Sequence, residues 1–92
     1  MIVVECYRLI GMDGGTVERD FMWQETLYRA GNTQPVPPDD GEYELQVETY
    51  GDVYLAVGKS PDASTEPREL IVSRDTALLP ADAGDRLAWR KA

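Results

Sequence analysis

The stretch GEYELQVETYGDVYLAVG, residues 41 to 58, constrains the fold of this 92-residue chain more than any other. Tyr43, Leu45 and Val47 alternate with Glu42, Glu44, Gln46 and Glu48, so an extended backbone sends apolar and polar side chains to opposite faces. Val53, Leu55 and Val57 resume the same period after Tyr50-Gly51-Asp52. The pattern predicts a β-hairpin over residues 42 to 58 with one face in a core and the other in water. A sheet with one apolar face has to be covered by a second layer, and the rest of the chain has to supply that layer.

The flanking segments have strand chemistry. Ile2 to Ile10 mixes β-branched and aromatic residues and reads as a first strand, followed by a turn at Met12-Asp13-Gly14-Gly15. DFMWQETLYR, Asp20 to Arg29, alternates Phe21, Trp23, Glu25 and Leu27 with Met22, Gln24, Thr26 and Tyr28, and its aromatic and β-branched content favours a strand over a helix. AGNTQPVPPDDG, residues 30 to 41, is a loop stiffened by three prolines. KSPDASTEP is a second loop, which Pro61 and Pro67 keep out of any central strand. Arg68 to Arg74 then reads as a strand with Leu70 and Val72 inward, Pro80 to Gly84 as a turn, and Arg86 to Arg90 as a closing strand with Leu87 and Trp89 on one face. Short strands separated by Gly and Pro turns predict an all-β fold, a small antiparallel β-sandwich or jelly-roll-like barrel, formed by residues 1 to 92 as a single domain.

Size and charge narrow the function. A chain of this length buries roughly two-thirds of its unfolded surface, enough for a core but not for a deep enclosed cleft, which leans toward binding or structure. No apolar run approaches the ~20 residues of a membrane helix, and Met-Ile-Val-Val-Glu lacks signal-peptide features, so synthesis in the cytoplasm without membrane association is expected. One cysteine, Cys6, leaves no internal disulfide. Seventeen acidic against nine basic residues give a net charge of −8, which opposes direct nucleic-acid binding. Nine of the acidic residues and two of the basic ones fall between residues 35 and 69. That run is either a solvated strand face or a negative patch that steers a basic partner.

Catalytic chemistry is sparse. The absence of histidine removes the commonest general base and transition-metal ligand. Cys6 lies within a strand with no base beside it, which reads as a buried structural thiol rather than a nucleophile. Asp39, Asp40 and Glu42 have oxygens suited to Ca²⁺ but no calcium-loop spacing. Glu42 and Glu44 share a face as a glycosidase pair would, yet on a solvated strand they read as solubilising charges. Neither metal nor cofactor is expected, and no enzyme activity. Trp23, Tyr28, Tyr43, Tyr50, Tyr54 and Trp89 read as core and cross-strand packing, the basic groove of a base-stacking platform being missing. Tyr54 is singled out: with Val53, Leu55 and Val57 inward, Tyr54 and Ala56 lie on the opposite face, to be covered by a second layer or a partner chain.

GDVYLAVGKSPDAS, an apolar strand followed by Gly-x-x-Pro-x-Ala, together with LLPADAGDRLAWR, a turn and a closing strand, resembles a pattern in small β-sandwich structural proteins of tailed bacteriophages and prophages, the decoration or head and tail accessory components. The resemblance spans residues 51 to 90. It implies a non-enzymatic protein without cofactor, attached to capsid or tail proteins of the virion, with homo-oligomer formation compatible with such a lattice. On a rigid scaffold the loop from Lys59 to Arg68 is the candidate contact, and with Tyr54 the candidate residues are Lys59, Ser60, Asp62, Thr65, Glu66 and Arg68. The alternative from charge alone is a small acidic inhibitor, mimicking DNA or occupying a basic protein surface.

Overall fold

A computed structural model describes residues 1–11 and 17–92; the turn expected at Met12 to Gly15 lies outside the described residues. The strands in chain order are β1 (Ile2–Gly11), β2 (Val17–Leu27), β3 (Gly31–Asn32), β4 (Glu42–Thr49), β5 (Val53–Gly58), β6 (Glu69–Ile71), β7 (Thr76–Ala81) and β8 (Arg86–Lys91). They form two four-stranded antiparallel sheets, one in the order β2-β1-β4-β7 and the other β3-β8-β5-β6. The protein is all-β, a small β-sandwich.

The alternation in the sequence fills the space between the sheets. Ile2, Val4 and Cys6 of β1 and Tyr43, Leu45 and Val47 of β4 face Val53 and Leu55 of β5 and Leu87 and Trp89 of β8 in one buried cluster. Val36, from the proline-rich loop, joins the same cluster, held by its amide donating to the Asp85 carbonyl at 2.7 Å. That loop therefore serves as a lid on the core and, through β3, as an edge of the second sheet.

The hairpin expected over residues 42 to 58 does not form. β4 belongs to the first sheet and β5 to the second, so Tyr50-Gly51-Asp52 carries the chain across the sandwich. Both strands keep their apolar side chains inward, which is why periodicity alone fits either arrangement. Three distant segments hold the crossing: the Tyr50 amide donates to the Met1 carbonyl, the Ser73 amide to Asp52 Oδ1 at 2.8 Å, and the Ala92 amide to the Asp52 carbonyl. Thr49, fully buried at the start of the crossing, donates its hydroxyl toward the carbonyls of Val72 and Asp75.

Two further expectations are corrected. β6 is only three residues long, and its core-facing residue is Ile71, while Leu70 and Val72 are both more than half exposed. Ile71 pairs with Val53 and takes the phase of that inward residue. Pro80 lies not in a turn but within β7, opposite Glu44, and the turn falls at Asp82 to Asp85 with its amide-to-carbonyl bond between those two residues. β7 is an edge strand, where a residue without an N–H is tolerated.

Cys6 is buried as expected, and desolvation pushes its thiol pKa up from 9.0 to about 11. The folded chain therefore retains this proton after the unfolded chain has released it, so stability is fully present below pH 9 and falls as pH rises from 9 toward 11. Iodoacetamide at pH 8 is expected to leave Cys6 unmodified in the folded protein and to alkylate it in concentrated urea. Alkylation of the native protein at the unfolded rate would mean that β1 opens readily.

Candidate functional site

The loop between β5 and β6 covers the outer face of the second sheet. Along β5 the inward residues Val53 and Leu55 leave Tyr54 and Ala56 pointing outward, opposite Arg90 and Ala88 of β8. Ala63, at the middle of the loop, packs on Ala56, Ala88 and Tyr54 and is buried to 4 % exposure. Only a small side chain fits so close to a sheet, and this contact holds the loop against its own domain. Tyr54 is thus covered by this chain's own loop.

Polar contacts fix both ends of the loop. Lys59 Nζ pairs with Asp85 Oδ1 at 2.9 Å and donates to the Ala83 carbonyl, tying the loop start to the β7–β8 turn. Asp85 is buried, and its second oxygen accepts the Asp82 amide at 2.9 Å, so one carboxylate closes the turn and anchors the loop. At the far end the Arg68 guanidinium lies 3.6 Å from the centroid of the Tyr54 ring, pairs with Glu66 and donates to the Ala63 carbonyl. The stacked cation and the ring are held together by charge and quadrupole as well as by contact. In the centre, Asp62 Oδ1 accepts both the amide and the hydroxyl of Ser64 at 2.9 and 2.5 Å, and these bonds hold the Asp62 carboxyl below its usual pKa.

The candidate residues therefore divide by role. Tyr54, Lys59 and Arg68 bind the loop to the sandwich, whereas Ser60, Asp62, Thr65 and Glu66 are exposed along its crest. Ser60 and Thr65 make no side-chain hydrogen bond among the described residues.

The acidic run is divided by the fold. Glu42, Glu44 and Glu48 lie on the outer face of β4, while Asp62, Glu66 and Glu69 belong to the second sheet and its loop. Glu44 is paired with Arg19 of β2 at 2.8 Å, and Glu48 accepts the Tyr50 hydroxyl at 2.7 Å, raising that phenol's pKa. Arg19 also lies 4.1 Å over the Tyr7 ring, which meets Phe21 edge-on. A continuous acidic stretch in the sequence is thus two separate surfaces, each partly neutralised, Glu44 by Arg19 and Glu66 by Arg68. Among the described residues no three acidic or cysteine side chains converge in a metal-holding group, so Asp39, Asp40 and Glu42 do not assemble the calcium site considered above.

No protein family, curated protein or solved structure matches this chain. The site is read on its own geometry. Beside the loop lies a feature that no local sequence pattern announces: an open groove of about 670 Å³ whose floor is β8, with Tyr28 to Asn32 on one side and Pro61 to Ser64 on the other. Tyr28, Arg29, Arg90 and Lys91 line it and are all exposed. The adjacent cations at Arg90 and Lys91 were the one signal available, and their neighbour Arg29 is more than half the chain away.

Proposed function

We propose that this protein is a non-enzymatic binding module that attaches to other proteins through the crest of the 59–68 loop, and that its setting is the phage or prophage virion implied by the resemblance of residues 51 to 90. The observation that carries the binding reading is the anchoring of that loop: Ala63 buried beneath it, Lys59 paired at one end and Arg68 stacked at the other, with Ser60, Asp62, Thr65 and Glu66 left to solvent. A loop already ordered before contact loses little conformational entropy on binding, which is how a small surface achieves useful affinity. Repetition in a symmetric lattice then multiplies weak single contacts.

The test is co-sedimentation of the protein with particles purified on a density gradient after prophage induction of the source strain. The wild-type chain is expected in the particle fraction at a fixed copy number. Ser60→Arg with Thr65→Arg places bulk on the crest without breaking any of the hydrogen bonds described above, and is expected to cut the bound fraction about tenfold while the unfolding midpoint stays unchanged. A wild-type chain found only at the top of the gradient would overturn the virion setting. Salt-sensitive capture of a basic protein in that case would favour the acidic inhibitor.

A further inference from the structure

The basic side chains of this acidic protein are not distributed at random. Among the described residues, Arg8 donates to the Asp40 carbonyl, Arg19 pairs with Glu44, Lys59 with Asp85 and Arg68 with Glu66, and Arg86 donates to the Thr33 carbonyl. Among the described residues, four basic side chains remain without an ion pair or side-chain hydrogen bond: Arg29, Arg74, Arg90 and Lys91. Three of these four, all but Arg74, line the groove over β8. The single carboxylate among the lining residues, Asp62, already accepts two bonds from Ser64, and Arg90 lies near enough to favour its charged form without pairing with it.

The fold brings these cations together through one pairing. Gly31 opposes Trp89 and Asn32 opposes Ala88, so the residues just before β3 come alongside the last residues of β8. Ala30, Gly31, Ala63 and Ala88 are small, which leaves the floor and walls low enough for another backbone to lie in the groove. Tyr28, 74 % exposed, adds an unburied aromatic face at its rim.

We infer that this groove binds an extended acidic peptide segment, its carboxylates meeting Arg29, Arg90 and Lys91 and its backbone lying between Tyr28 and the 61–64 wall. Guanidinium groups present a planar fork that matches a carboxylate in two parallel bonds, and two of the three cations are arginines. The groove volume lies in the range of specific ligand sites. A peptide is favoured over a nucleic acid because the net charge of −8 repels a long polyanion, whereas a few carboxylates are matched locally by three cations.

The test is fluorescence anisotropy with a labelled ten-residue peptide of alternating glutamate and serine, at 50 and 300 mM salt. The wild-type protein is expected to bind it, several-fold more weakly at the higher salt, and Arg29→Glu with Arg90→Glu is expected to weaken binding at least tenfold. Arg74→Glu, a charge reversal outside the groove, is expected to change it less than twofold, as is Ser60→Gln with Thr65→Gln, which alters the loop crest without adding charge beside the groove. This last variant separates the groove from the crest, so either reading can fail alone. No binding, or equal weakening by Arg74→Glu, would overturn the proposal. So would tighter binding of a labelled ten-nucleotide single strand, or salt-sensitive self-association in sedimentation velocity that the groove variants abolish; the former would assign the groove to nucleic acid and the latter to a second copy.

Discussion

Replacing Trp89 by alanine is expected to lower the free energy of unfolding by about 3–5 kcal/mol. Trp89 projects from β8 between Leu55 of β5 and Gly31 of β3 in the register of the second sheet, and it is only 3 % exposed within the central cluster. Its buried indole N–H has no hydrogen-bond partner among the described residues, so the loss is one of packing and of the cavity left behind. A domain of this size is stable by ~5–14 kcal/mol, which makes this one ring a large share of the margin. Urea denaturation followed by far-ultraviolet circular dichroism measures the change without depending on tryptophan emission. Leu70→Ala and Val72→Ala form the contrast: both side chains are more than half exposed, and each is expected to cost no more than about 0.5 kcal/mol. A loss below about 1 kcal/mol at Trp89, or above about 2 kcal/mol at Leu70, would mean that the second sheet faces the other way.

That contrast marks where the sequence was legible. The inward sets Tyr43, Leu45 and Val47, Val53 and Leu55, and Leu87 and Trp89 are all read from period-two alternation and are all buried. Alternation fixes phase only when a strand is long enough to show it. At β6, the unbroken apolar run Leu70-Ile71-Val72 leaves the phase open, and pairing with Val53 decides it for Ile71. At β7, Pro80 reads as a turn because a central strand rejects proline; that β7 has a neighbour on one side only is a property of the assembled sheet. The candidate site divides in the same way. The 59–68 loop is contiguous and carries its own Pro, Ser and Asp signals, whereas the groove needs Arg29 beside Arg90, a neighbourhood created only by the β3–β8 pairing.

The crossing between β4 and β5 is the strongest case of two folds sharing one pattern, and it yields the second large effect. Replacing Tyr50-Gly51-Asp52 by Asn-Gly is expected to destabilise the protein at least as much as Trp89→Ala, with loss of a cooperative unfolding transition as the extreme outcome. Packed sheets lie about 10 Å apart, whereas hydrogen-bonded strands lie about 4.8 Å apart, so the link has to span the larger distance and a two-residue turn is built for the smaller one. Asn-Gly favours positive φ at both positions, whose twist directs the chain back beside β4. β4 has no vacancy there, because β1 and β7 already occupy its two edges, and β5 is likewise held between β8 and β6. The substitution also removes Asp52, whose carboxylate accepts the Ser73 amide. Asp52→Asn, which keeps the acceptor oxygen and the loop length, separates that contact from the geometry and is expected to cost no more than about 1 kcal/mol. If the Asn-Gly variant keeps the wild-type midpoint, residues 42 to 58 pair as a hairpin in solution and the two sheets are connected elsewhere; if it collapses while Asp52→Asn does not, the span across the sandwich is what the three residues supply.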